Sequence, residues 1–385
     1  MQRASLTYLM GRSFLMGRNF LMSRSVLTSL AALALAATAA GAGGIDRSIL
    51  PYATLFDEGR VAVLSFSTVT PDVRGTLATL GGPLPTGNMA QNYSRLSFAF
   101  KDDIGARLSY MLVANQPYGA DALYTTGAYT GLEAHWTSDQ IAALLKYQAG
   151  ARISVYGGLR YVTSRANILI PAQMLVPLGA YTATADSDSQ VGYLIGAAYE
   201  IPDIKLRVGL TYESAITHQF ATTESFSVVG PGPESTTEIT LPQSVALDFQ
   251  SGVAKDTLVF GSVRWSEWSV WHVDPAFYRS FTGEEVTGFD SDVISYQLGI
   301  GRRINDAVSV FARLGYEAPS GDVASRLSPT DGMQSIGIGG SWTQGSIKVT
   351  GGVEYVKLGD AVDASGTVFS GNDAVGLGVS VEFRF

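Results

Sequence analysis

The chain has 385 residues and a formal net charge of −8, with 46% hydrophobic residues, only 16% charged residues and no cysteine. The acidic balance argues against a nucleic-acid partner, and the absence of thiols excludes disulfides, thiolate metal sites and a cysteine nucleophile. Beyond the N-terminus no apolar run approaches the roughly 20 residues of a spanning helix, so the apolar side chains are dispersed, as a membrane β-barrel requires.

The chain begins with a basic region containing Arg12, Arg18 and Arg24, followed by an apolar run over residues 26–37 and then small residues. Thr38 and Ala40 fit a small-x-small cleavage rule before Gly41, with Ala40 and Ala42 as an alternative pair. Residues 1–40 therefore read as a secretory signal peptide removed on export. Met22 opens a complete signal by itself, which makes the start codon either Met1 or Met22.

From about residue 60 to residue 385 the sequence alternates with period two, and this stretch is expected to form the barrel. In the last stretch Val375, Leu377, Val379, Val381, Phe383 and Phe385 share one face, while Gly376, Gly378, Ser380, Glu382 and Arg384 share the other. Residues 204–213 and 307–317 repeat the split, with Leu206, Leu210, Val310 and Leu314 on the lipid side. Tight turns are expected near residues 101–104, 148–151, 202–203, 254–256, 305–306 and 343–345. Long connections are expected over residues 72–91, 117–130, 167–188, 220–241, 270–290, 318–331 and 358–373. Short and long connections alternate strictly, as they do in an outer-membrane barrel. The predicted fold is all-β: a transmembrane antiparallel β-barrel of about 14 strands. Trp265, Trp268 and Trp271 are expected in an interface girdle. Phe385 closes the last strand in the manner of a recognition signal for barrel-assembly machinery.

The third strand loses its alternation from Ala114 to Gly119. Pro117 cannot donate to a ladder and Gly119 weakens pairing, so either the strand ends there or the wall carries a defect. The inward charges Arg160, Lys205, Arg207, Glu213, Arg264, Arg313, Glu317, Lys348, Glu354 and Glu382 are expected to pair across the lumen. None of the three histidines, His135, His218 and His272, sits in a serine-containing motif, so no catalytic residue and no enzyme activity are predicted. The acidic pairs Asp186/Asp188 and Asp290/Asp292 read as solvated loops before calcium ligands, and no metal or cofactor is assigned.

Two stretches carry a family resemblance. Val61 to Thr70 followed by Pro71, Asp72 and Val73, and the later run from Leu241-Pro242 through Lys255-Asp256 to Trp268-Ser269, resemble the FadL/TodX-type outer-membrane transporters of long-chain fatty acids and other hydrophobic compounds. The resemblance implies a short N-terminal hatch inside the lumen, here over residues 41–59, although the Asn-Pro-Ala motif of many members is absent. It also implies passive uptake through movement near the N-terminus, with release sideways through a break in the third strand. Pro117 and Gly119 would form that lateral gate. Ile45, Ile49, Leu50, Tyr52, Leu55 and Phe56 of the hatch either line a ligand pocket or only plug the lumen. Arg160 and Arg207 are the cations expected to meet a ligand carboxylate. The expected setting is a monomer in the outer membrane of a Gram-negative cell, among lipid and lipopolysaccharide. The alternative is a general diffusion porin for small solutes, which shares the alternating pattern.

Overall fold

The computed structural model describes residues 44–385. The predicted signal peptide, both start codons and residues 41–43 lie outside the described residues. Counted through their interruptions, fourteen antiparallel strands form one closed barrel. They are β1 (Val61–Asp72), β2 (Tyr93–Ile104), β3 (Leu108–Asn115, resuming as Gly119–Leu123), β4 (Glu133–Gln148), β5 (Ile153–Ile170), β6 (Tyr181–Ile201) and β7 (Leu206–Glu213, then Ile216–Phe226). The second half comprises β8 (Ser235–Leu241, then Ser244–Ala254), β9 (Thr257–Ser266), β10 (Val293–Arg303), β11 (Val308–Glu317), β12 (Met333–Gln344), β13 (Ile347–Leu358) and β14 (Asp373–Arg384). Closure comes from β1 and β14, which pair from Val61↔Arg384 to Asp72↔Asp373 and leave neither strand with a free edge.

Parity decides which way each side chain looks. Leu210, Leu314 and Leu377 are 52, 56 and 52% exposed, whereas their neighbours Thr211 and Arg313 are buried at 1 and 4%. An apolar exterior around a polar, filled interior is the inverse of a soluble protein and is the form a sheet takes in lipid. Inside, glycines make room for rings from the next strand. A Cβ on Gly299 would meet the Phe260 ring at 2.4 Å, and one on Gly339 would meet Phe311 at 2.4 Å. The lumen therefore packs large against small across adjacent strands.

All seven long connections lie at one end and the short turns at the other, but three long connections are shorter than expected, the one expected over residues 117–130 because β3 resumes over Gly119–Leu123. β5 and β6 pair as far as Ile170↔Tyr181, which reduces the loop expected over residues 167–188 to residues 171–180. The loop expected over residues 220–241 is likewise mostly strand, since β7 and β8 pair from Ile216↔Leu241 to Thr222↔Ser235. A strand crosses a bilayer in roughly 9–11 residues, and the excess stands in water at the long-loop end. There the outward face turns polar while Tyr181, Phe220, Phe226 and Ile239 are buried inside, so the lipid-facing pattern is lost while the ladder continues. Asp186 and Asp188 accordingly belong to β6, and His218 to β7. Lys205 is a turn residue, in the left-handed conformation at φ 55° rather than in the wall.

Candidate functional site

Residues 44–60 precede the barrel and run along inward-facing side chains from near the long-loop end to the short-turn end. At the upper end the carboxylate of Asp46 meets the Arg264 guanidinium at 2.9 Å. A one-turn helix (Tyr52–Phe56) follows, because Pro51 sets the φ of its cap and Leu55 and Thr54 are buried beneath it. The Tyr52 hydroxyl donates to Glu213, which also receives Arg160 at 2.6 Å. Burial, with Glu213 beside it, pushes the Tyr52 phenol well above its ordinary pKa, so it remains a donor. Phe56 lies between two cations, with Lys146 Nζ 4.8 Å and the Arg207 guanidinium 4.6 Å from its ring centre. At the lower end Asp57 meets Arg384 at 3.3 Å, and the Gly59 amide donates to Asp103 at 2.8 Å.

The third strand does break where its alternation fails. β3 pairs with β2 from Ile104↔Leu108 up to Phe98↔Ala114, and its upper part pairs with β4 from Gly119↔Thr137 to Leu123↔Glu133. Among the described residues no ladder joins residues 93–97 of β2 to residues 116–121 of β3. The opening closes above with the Ala90–Ala122 bridge. The leading segment fills it from within. The Arg47 amide donates to the Pro117 carbonyl at 2.7 Å, and the Gly119 amide donates to the Ile45 carbonyl at 2.9 Å. Asp46 and Tyr118 are thus directly opposed antiparallel partners. The Arg47 side chain completes the contact: it donates to the Gly119 carbonyl at 2.6 Å, pairs with Asp121 at 3.2 Å, and covers the Tyr93 ring at 3.3 Å. A Cβ on Gly119 would stand 3.1 Å from the Arg47 chain and 3.3 Å from the Trp136 carbonyl, so a side chain there would crowd the contact.

Of the cavities that adjoin the segment, two hold most of the residues at issue. The upper one has Ile45 in its lining, together with small side chains from β3 to β6 such as Ala122 and Ala134, and the aromatic residues Trp136, Trp271 and Phe289. Trp136 packs on Trp271 at 5.9 Å and Trp271 on Phe289 at 5.1 Å. The lower cavity is lined by Ile49, Leu50, Tyr52, Phe56 and Arg207, with Asp248 and Phe260 on the wall side.

The sequence-predicted residues do not form a single site. Ile49, Leu50, Tyr52 and Phe56 come together with Arg207 around the lower cavity. Ile45 stands apart at the upper cavity, and Leu55 is enclosed in the core with Leu50 and Tyr52. Arg160 is held by Glu213, by the Gln140 amide oxygen at 2.9 Å and by the Tyr118 hydroxyl at 3.2 Å. Pro117 and Gly119 flank the opening. Of the three tryptophans expected in a girdle, only Trp265 looks outward; Trp268 and Trp271 are 1 and 5% exposed inside the lumen. β9 stops at Ser266; its parity already turns Trp268 inward with Arg264 and Ser266, and the turn over Trp268–Val270 brings Trp271 inward as well. The sequence reading also missed Asp46, Arg47, Trp136 and Phe289. The Trp-Ser-Val-Trp run just past a strand end was the available signal for Trp268 and Trp271.

Asp57 provides a titration test. Burial first, and then repulsion from Glu382, push its carboxyl up to about 6 against the pull of Arg384, Lys348 and Arg207. A carboxyl with a raised folded-state pKa favours the docked segment below its free value, and that contribution is lost as pH rises from about 4 to about 6. Because the chain lacks cysteine, a single nitroxide on Ala53→Cys reports the segment alone. Its mobility should increase across that interval and become independent of pH in Asp57→Asn. A flat wild-type curve would contradict the assignment.

No family model matches the chain, and no curated protein matches it by sequence. Solved structures do match. A Pseudomonas aeruginosa FadL homologue superposes with a TM-score of 0.68 at 13% identity, covering 86% of this chain and 92% of that one. The Pseudomonas putida toluene transporter TodX gives 0.62 at 12% identity over 90 and 96% of the two chains. The Ralstonia pickettii toluene transporter TbuX gives 0.58 at 14% identity over 86 and 90%. The chain therefore has the FadL/TodX-type fold, a closed fourteen-strand barrel with an interrupted third strand.

Proposed function

We propose that the protein is an outer-membrane passive channel for hydrophobic compounds, in which residues 41–59 are a hatch and the interrupted third strand is a side exit. The observation that carries this reading is the pairing of residues 45–47 with residues 117–119 across the opening in the wall. The segment that fills the lumen is also the segment that seals the wall, so one movement changes both. Compounds enter the aromatic upper cavity, pass Ile45 when the segment shifts, and leave between β2 and β3 past Pro117 and Gly119. Each methylene transferred from water into such a lining gains about 0.8 kcal/mol, enough to drive capture without a coupled energy source. Ile49, Leu50, Tyr52, Phe56 and Arg207 line the onward cavity, Leu55 packs behind them, and Arg160 fixes Glu213 against Tyr52. The names of the similar structures support the hydrophobic class: one is a FadL homologue and two are toluene transporters.

Removing residues 45–57 tests the reading and separates it from a diffusion porin. The truncated barrel should conduct ions in planar bilayers where the whole mature chain conducts little, and it should lose hydrophobe binding. Equal conductance with and without the segment would favour the porin.

A further inference from the structure

The upper cavity carries a chemical signature beyond its apolarity. None of the described residues that line it is a lysine or an arginine. The ionisable group among them is His135, and both of its ring nitrogens are taken: Nδ1 by Asp121 at 2.9 Å and Nε2 by Glu133 at 2.8 Å. Each cation beside the leading segment already has a carboxylate partner, Arg47 in Asp121 and Arg264 in Asp46, although Arg47 Nη1 and Arg264 Nε make no hydrogen bond among the described residues. A carboxylate entering here would find no lysine or arginine in the lining to receive it and would lie near Glu133. A charge moved out of water without a partner is strongly disfavoured.

One buried polar group of the lining has no partner among the described residues. Trp271 is 5% exposed, packs among Trp136 and Phe289, and its indole N–H makes no hydrogen bond among the described residues. Buried donors are almost always satisfied, because an unmet one is costly. Tryptophan normally solves this by reaching a polar neighbour with its edge, as Trp136 does through Ser138 at 2.9 Å.

We infer that the upper cavity selects uncharged, ring-sized hydrophobes bearing one hydrogen-bond-accepting oxygen, which takes the Trp271 N–H while the ring packs on Trp136 and Phe289. The class includes aryl ketones, ethers and phenols. It leaves out carboxylates, and it ranks plain hydrocarbons second. The inference rests on the reading of the chain as a hydrophobe channel.

Acetophenone, ethylbenzene and benzoate have similar size and differ only in the chemistry at issue. Their binding to the detergent-purified mature chain is measured by tryptophan fluorescence, with empty micelles as the reference. Acetophenone should bind about tenfold more tightly than ethylbenzene, the scale of one hydrogen bond in a dry site, and benzoate should not bind. Trp271→Phe keeps a ring and removes the donor, so it should abolish the preference for acetophenone over ethylbenzene, whatever ring packing the two ligands lose alike. Heat-modifiable electrophoretic mobility verifies that the variant is a closed barrel. Equal affinities for ketone and hydrocarbon, both unaffected by Trp271→Phe, would overturn this inference and leave hydrophobe uptake standing. Benzoate binding more tightly than acetophenone would overturn it too. Binding of none of the three would overturn both.

Discussion

In a variant carrying Asp46→Cys and Tyr118→Cys, oxidation is expected to stop hydrophobe uptake and reduction to restore it. The two residues face each other as an antiparallel bridge, flanked by the hydrogen bonds from Arg47 to Pro117 and from Gly119 to Ile45. In that non-hydrogen-bonded register opposed Cα atoms lie about 4.5 Å apart, within the range a disulfide spans. The chain has no cysteine of its own, so no other bridge competes. The substitutions remove the Asp46–Arg264 pair and the Tyr118–Arg160 hydrogen bond, and the reduced variant is therefore the proper reference. Uptake of a labelled hydrophobe into proteoliposomes should fall by roughly tenfold or more on oxidation if movement of the segment is the gating step. Equal uptake in the two redox states would mean that residues 45–47 stay on the wall during transport, and the coupled hatch and side exit would be abandoned.

The second large effect belongs to Glu213. It is buried against Arg160 and accepts from Tyr52, so a single carboxylate links the segment to β5 and β7. Glu213→Ala leaves the Arg160 guanidinium buried without its partner and the Tyr52 hydroxyl without its acceptor. Breaking a buried pair from one side costs roughly 3–5 kcal/mol, most of it the stranded charge. The urea midpoint for unfolding from lipid vesicles should fall accordingly. The double variant Arg160→Met with Glu213→Leu, which removes both charges and keeps the volume, should recover most of the loss. In that variant the spin-labelled segment should still be more mobile than in the wild type, because Tyr52 has lost its anchor. A single variant as stable as the wild type would show that Glu213 is dispensable to the docked state.

The lumen of this barrel is a packed, charge-balanced interior. Arg313 meets Glu354 across β11 and β13, and Arg160 meets Glu213 across β5 and β7. Inward charges were expected to pair in this way, but the sequence left the partners unnamed. Arg264 is an example: its partner is Asp46, 218 residues away and outside the wall altogether.

What the sequence by itself determined is whatever depends on the residue and its immediate neighbours. Facing alternates with period two, so the parity of Val375, Leu377 and Val379 against Gly376, Gly378 and Ser380 was readable one residue at a time. Five of the six short turns were legible, and so was the break at Pro117, where the ladder lacks a donor; the turn expected near residues 101–104 falls at 105–107, because β2 and β3 pair on to Ile104↔Leu108. What only the tertiary structure decided depends on closure and on the path of the leading segment. Parity does not say that Trp271 turns inward after a single helical turn, or that β5 and β6 keep pairing through the polar stretch around Asp188. Nor does it bring Arg47 onto Tyr93 and Gly119, because those contacts join residues separated by dozens of positions and exist only once the sheet has closed around the segment. Local alternation specifies a wall, and the shape it encloses is settled by which strands meet when the last one finds the first.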